Sequence, residues 1–250
     1  MAGHSKWAQI KHKKKVTDAR RGQMFSKLAR AIIVAAKEGG PDPTANLALQ
    51  NAVEKAKAYS MPKENIERAI ARGAGTDDGA DTYEPVVYEG YGPAGVAVIV
   101  ETLTDNRNRT ASEVRHAFAK HDGNLGSAGA VAWLFERRGA VIVDGSADEE
   151  AVMDAAAEGG ADDVQHDGSS FSVTCMPESL SAVREALASA GLPVESAEVT
   201  MLPKTTVRVD EEAAARKVVR MMDALEEIDD VQDVYANFDI PEQVLEAVEA

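Results

Sequence analysis

Residues 133–201 read WLFERRGAVIVDGSADEEAVMDAAAEGGADDVQHDGSSFSVTCMPESLSAVREALASAGLPVESAEVTM, and the order of patterns along this stretch decides the fold. Trp133 to Val143 is a strand pattern closing on the apolar run AVIV, and Ala147 to Glu158 has helical spacing. Asp162 to His166 predicts a short strand, Phe171 to Met176 another, Pro177 to Ala190 a second helix and Ser196 to Met201 a last strand. That order is βαββαβ, the ferredoxin-like unit, with Val152, Leu180, Val183 and Leu187 placed to cover its sheet.

A complete βαββαβ unit has no room for the C-terminal elements. Thr205 to Val209 reads as extended, Glu211 to Ile228 as a long helix and Val231 to Phe238 as a strand. These elements are expected to return to a domain begun upstream. There, Tyr83 to Tyr91 and Gly95 to Leu103 predict two strands joined through Gly92-Pro93, and VAVIV at 96–100 marks the second as buried. Asn106 to Lys120 predicts a helix with Val114, Ala117 and Phe118 inward, and Gly123 to Gly126 a turn and short extended piece. Gly73 to Asp81, GAGTDDGAD, has the composition of a linker.

Ahead of that linker, Phe25, Leu28, Ala29, Ile32, Ile33 and Ala36 form an apolar stripe from a helix capped by Thr17 or Asp18 and ended by Gly39-Gly40-Pro41. Arg20, Lys27, Arg30 and Lys37 fall on the opposite side. A second helix is expected from Asp42-Pro43 to Ser60 and a third from Met61-Pro62 to Gly73. The predicted class is therefore α+β multidomain. Residues 1–75 form a basic arm plus a three-helix domain, 80–130 with 204–250 a discontinuous α+β domain, and 131–203 an inserted ferredoxin-like domain.

Charge is distributed as unevenly as the elements. The 250-residue chain carries a formal −15, yet residues 1–72 hold 15 basic and 6 acidic side chains, leaving 12 and 36 for the rest. One end attracts polyanions and the remainder repels them. Gly3 to Val16 lacks an apolar period and reads as an adaptable arm with one stacking aromatic. The nucleic-acid-binding set predicted here is Lys6, Trp7, Lys11, His12, Lys13, Lys14, Lys15, Arg20, Arg21, Lys27 and Arg30. Arg107 and Arg109, in the polar run Thr104 to Thr110, are candidates for a second contact; the competing reading is a helix cap whose arginines pair with local acids.

Other chemistries find little support. One cysteine, Cys175, excludes an intramolecular disulfide framework and sits in a strand pattern as a core residue. None of the five histidines has a companion at metal-ligand spacing; His116 and His121 lie five apart and off a common helix face. Gly90 to Gly95 and Gly123 to Gly129 are glycine-rich but lack a Walker lysine or a strand–GxGxxG–helix context, so they read as turns. No catalytic constellation assembles, and neither metal, cofactor nor small-molecule substrate is expected. No apolar run is long enough to span a bilayer. A mitochondrial presequence would share the basic amphipathic start, but a cytoplasmic location is expected.

Several stretches resemble the YebC family in order along the chain. They are AGHSKWAQIKHKKKVTDARRGQMFSKLAR at 2–30, MPKENIERAI at 61–70, YEGYGP at 88–93, TDNRNRT at 104–110 and GNLG at 123–126. Ala94 and Asp122 stand where the family usually or often has glycine. The resemblance implies a non-enzymatic, three-domain bacterial cytoplasmic protein, with one α+β domain interrupting the other. It further implies a probable transcriptional regulator, with DNA binding shown for some members. A mitochondrial relative is a translational activator of cytochrome oxidase, and the family has been tied to the ribosome and to relief of stalling at proline-rich stretches. The function expected is thus a DNA-binding transcriptional regulator, with an rRNA-binding translation factor as the alternative. The acidic domains could take a protein partner or act as spacers.

Overall fold

The structure is a computed structural model that describes residues 18–75, 83–166 and 168–249, with residues 18–20, 242 and 249 described by backbone alone. The arm through Val16 and the linker residues 76–81 lie outside the described residues. The chain divides into two compact units, one running to Leu134 and resuming at Thr205, the other Phe135–Lys204. Helices precede two four-stranded antiparallel sheets, each packed with helices around its own hydrophobic core.

In the first unit, helices α1 (Asp18–Gly39), α2 (Leu47–Ala58) and α3 (Lys63–Gly73) enclose Leu28, Ile32, Ile33, Leu49, Val53, Ile66 and Ala69. The stripe on α1 points inward as its spacing requires. Helix α2 begins five residues later than Asp42-Pro43 predicts. Asp42 instead accepts from the Thr44 N–H and hydroxyl in a turn. Buried Asn46 is the cap, accepting from the Leu49 N–H while its amide donates to the carbonyls of Ala35 and Gly40. One side chain thus starts α2 and ties it to the end of α1.

The same unit continues with strands β1 (Glu84–Tyr91) and β2 (Ala97–Thr104), helix α4 (Arg107–Lys120) and the short strand β3 (Asn124–Leu125). After the second unit it resumes with β8 (Val207–Arg208), α7 (Glu212–Glu226), β9 (Val231–Ala236), β10 (Phe238–Asp239) and α8 (Glu242–Glu249). The closing elements do return to the earlier domain, because β9 pairs antiparallel with β2 in a sheet ordered β3-β1-β2-β9. Val96, Val98 and Val100 pack one face of that sheet against Phe118 of α4 and Met221, Met222 and Leu225 of α7. Two features go beyond the predicted elements: β10 pairs in parallel with β8, and α8 brings Leu245 into the same core.

The second unit contains β4 (Phe135–Asp144), α5 (Glu149–Gly159), β5 (Asp163–His166), β6 (Ser170–Cys175), α6 (Leu180–Ser189) and β7 (Val194–Pro203). Its antiparallel sheet, ordered β5-β6-β4-β7, is the ferredoxin-like arrangement. Val141, Val143, Val152, Phe171, Val183 and Leu187 fill the core beneath it. Cys175 is buried there, and burial pushes its thiol up, away from the reactive thiolate. Trp133, expected to open β4, instead lies in a 3-10 turn at Ala132–Leu134, ahead of the strand.

Ala94 and Asp122 both adopt the left-handed conformation, with φ of 57° and 60°. A β-carbon there crowds the following carbonyl, whereas glycine does not. Ala94 is exposed and touches no core, so Ala94→Gly should raise stability by about 0.5–1 kcal/mol, net of glycine's greater unfolded-state freedom. A urea titration that shows equal or lower stability for the variant would contradict this account of the turn.

Candidate nucleic-acid interface

Helix α7 ends badly on its own. Asp223, Glu226 and Glu227 crowd its C-terminal turn, no base is present there, and the final carbonyls need donors. The missing cations come from α1, some two hundred residues earlier. The Lys27 ammonium donates to the Glu226 carbonyl at 2.5 Å, and the Gln23 amide donates to the Glu227 carbonyl at 2.8 Å and the Asp229 carboxylate at 2.9 Å. Arg30 donates to the Asp229 carbonyl at 2.5 Å and to Asp230 Oδ1 at 3.2 Å, with Tyr83 stacked 5.4 Å from its guanidinium. From α2, Lys55 grips both carboxylate oxygens of Asp233 at 2.8 and 2.9 Å.

Asp230 is the centre of this contact. It is 2% exposed, and its Oδ2 accepts from Arg109 at 2.6 Å, from Thr110 at 2.6 Å and from Thr104 at 3.2 Å. Burial alone would push its carboxyl up. The hydrogen bonds from Arg109 and Thr110, with the charges of Arg109 and Arg30, outweigh burial and hold it below the ordinary value. The Arg109 guanidinium, bonded to Asp230 and Asp105, is raised further still. The Thr104–Thr110 run is therefore a helix start and half of a latch. Asn106 caps α4 by accepting from the Arg109 N–H, and Thr104 and Thr110 are fully buried.

These placements sort the predicted contact residues. Lys6, Trp7, Lys11, His12, Lys13, Lys14 and Lys15 lie outside the described residues, as does the side chain of Arg20. Arg21 and Lys37 face solvent. Lys27 and Arg30 do not: Lys27 is buried and both are engaged within the chain, which corrects the reading of α1 as a uniformly basic outer face. Arg109 is likewise held by Asp105 and Asp230, and Arg107 lies 3.5 Å from Glu84, so the cap-and-local-acid reading describes that run. The partners were invisible in the sequence because helical periodicity says which side of α1 is polar, but not what covers it. The acids at 223–233 were the only available signal.

Among the described residues no group of three His, Cys, Asp or Glu side chains comes together as metal ligands. No described helix is long and apolar enough to cross a membrane. The cleft beside the latch, about 600 Å³, is lined by Arg30, Tyr83, Asp105, Arg109, Glu113 and Asp230 among others; Arg30 pairs there with Asp230, and Arg109 with Asp105 and Asp230.

Removing Asp230 leaves the buried Thr104 and Thr110 hydroxyls short of an acceptor and takes one partner from Arg109 and Arg30, so Asp230→Ala should cost about 1–3 kcal/mol of stability. The carboxyl's folded pKa is depressed, so its contribution is fully present above the ordinary value of 3.8 and is lost as pH falls through the folded value. Denaturant titrations from pH 7 to 2 should show the gap between wild type and Asp230→Asn closing only below about pH 4. A gap that is constant with pH would mean that the carboxylate charge is not what holds the latch.

Comparison with known proteins places this architecture. Residues 5–76 match the family model described as the TACO1/YebC protein N-terminal domain, and residues 83–238 match that of the TACO1/YebC second and third domain. A curated protein of Rubrobacter xylanophilus named "Probable transcriptional regulatory protein" is 56% identical over 249 residues, covering 99% of both chains. One of the same name from Aquifex aeolicus is 53% identical, covering 99% of this chain and all of the other. The crystal structure of a conserved hypothetical protein from Aquifex aeolicus superposes with a TM-score of 0.80 at 51% identity, over 91% of this chain and 94% of that one. By its fold, its two matched segments and its full-length relatives, the chain belongs to the TACO1/YebC family.

Proposed function

We propose that this protein is a non-enzymatic, cytoplasmic DNA-binding regulator of transcription that holds its target through the N-terminal arm. The observation that carries this reading is how the cations divide. Lys27, Arg30 and Lys55 are consumed by the acidic turn at 226–233, whereas Lys6, Lys11, Lys13, Lys14 and Lys15 are concentrated where the sequence offers no acid before Asp18. A cluster of that density releases counterions on meeting a phosphate backbone. In sequence these lysines come immediately before α1, which Lys27 and Arg30 hold to the end of α7. The relatives named as transcriptional regulatory proteins support the process assigned.

Lysines give phosphate affinity without reading base edges, so the arm supplies affinity and not sequence choice. The acidic remainder repels bulk polyanion and restricts where contact occurs.

Two measurements test the reading. Replacing Lys13, Lys14 and Lys15 with Ala should weaken duplex binding and flatten the slope of log K against log salt by roughly 2 to 3; an unchanged slope would take the arm out of the interface. In competition at physiological salt, a promoter duplex should exceed random duplex by about a thousandfold or more. If duplexes are indistinguishable and ribosomes bind better, transcriptional control is not the function.

A further inference from the structure

Helices α4 and α7 pack side by side with unlike charge at their two ends. Glu113 of α4 shares the cleft beside the latch with Ala224 and Glu227. At the other end the turn leaving α4 abuts α7: a β-carbon on Gly123 would lie 3.2 Å from the Met221 sulfur, and Asp122 pairs with Lys217 at 2.7 Å. The two helices therefore run antiparallel, and the acids that end α7 lie away from this turn.

Residues 73–250 hold 36 acids against 12 lysines and arginines. Three of the twelve, Lys120, Lys217 and Arg220, surround the turn His121 to Gly123, and all three are exposed. Lys217 and Arg220, three apart on α7, share a helix face. Lys217 cancels Asp122, the only acid of the turn. Lys120 and Arg220 make no ion pair among the described residues. Arg216, one turn before Arg220, is by contrast held by Glu212 at 2.6 Å.

His121 feels this imbalance. Burial pushes its imidazole below the ordinary value, and the charges of Lys120 and Arg220 push it further against the opposing pull of Asp122. The turn is thus a locally positive place on a strongly negative body.

We propose that Lys120, Lys217 and Arg220 form a second phosphate contact, on the body of the first unit, for the backbone of a nucleic acid. The contact rests on the reading of the chain as a nucleic-acid binder, but it uses none of the arm's residues. A planar guanidinium and two mobile ammonium groups suit the oxygens of a phosphodiester. The surrounding acids keep a polyanion away from the rest of the surface, so positive ground within them fixes where the backbone can approach. Cations alone read no base edge, so this contact adds affinity and position, not sequence choice.

His121 is a built-in reporter for the test. In the full chain its imidazole proton resonance, assigned by its loss in His121→Asn protein, is followed through pH with and without a random DNA duplex. Saturating duplex should raise its midpoint by about half a pH unit, the effect of one negative charge roughly 6 Å away in water. In the Lys120→Ala, Arg220→Ala double variant the midpoint should already be raised without duplex, because two repelling charges are gone, and duplex should move it no further. The same variant should keep its thermal stability and flatten the slope of log K for duplex against log salt by about 1 to 2. An unmoved His121 in wild type saturated with duplex overturns this contact, while the arm reading stands if the Lys13, Lys14, Lys15→Ala protein still flattens the slope. If polyglutamate at equal charge concentration raises the midpoint as much as duplex does, the surface takes acidic protein and the proposal falls. Wild type that binds no duplex would remove both readings.

Discussion

A buried carboxylate just past the acidic end of helix α7 sets the terms for the first unit. Asp230 and the carbonyls of Glu226, Glu227 and Asp229 make the C-terminus of α7 strongly negative, and its last turn carries no basic residue. An isolated helix with that ending would be penalised by its own dipole. The chain resolves this by placing Gln23, Lys27 and Arg30 of α1 over the carbonyls and Arg109 over the carboxylate. Because Asp230 also binds Thr104 and Thr110, a single residue joins the helical region, strand β2, helix α4 and the return segment. A chain that leaves this domain at Leu134 and re-enters at Thr205 needs such a tie, and the pairing of β9 with β2 supplies the other.

The consequence for function is a division of labour among cations of similar sequence appearance. Lysines and arginines of residues 20–55 look like one basic field. The ones with defined partners serve as helix-terminal donors and ion pairs, and their charge is largely cancelled within the fold. The cluster ahead of Asp18 is the one proposed to meet an external polyanion.

Much of the architecture was legible because period and composition are local properties. The βαββαβ order of residues 133–201 needed only alternation, helical spacing and turn residues, and its sheet order follows from the known ways such a unit closes. The return of Glu211 to Phe238 to the earlier domain was readable by elimination. The misses share one physical cause: a side chain from afar claimed a backbone group. Asn46 moved the start of α2 away from Asp42-Pro43, and the α7 carbonyls drew Lys27 inward. Helix α8 was missed although Val244, Leu245 and Val248 give it an apolar face, because eight residues are too short for the period to stand out. The arm's charge was legible in the sequence, whereas the latch depends on contacts between residues far apart in the chain, which no spacing rule encodes.

The central claim is that α1's inward cations belong to the fold and not to the nucleic-acid contact. The most direct measurement is the salt dependence of duplex binding by Arg30→Gln protein, compared with wild type at a temperature where both are folded. If Arg30 is cancelled by Asp229 and Asp230, the slope of log K against log salt stays at the wild-type value while thermal stability falls. A slope reduced by about one, as expected for the loss of one phosphate contact, with stability unchanged, would show that Arg30 faces the nucleic acid and that the latch has been misassigned.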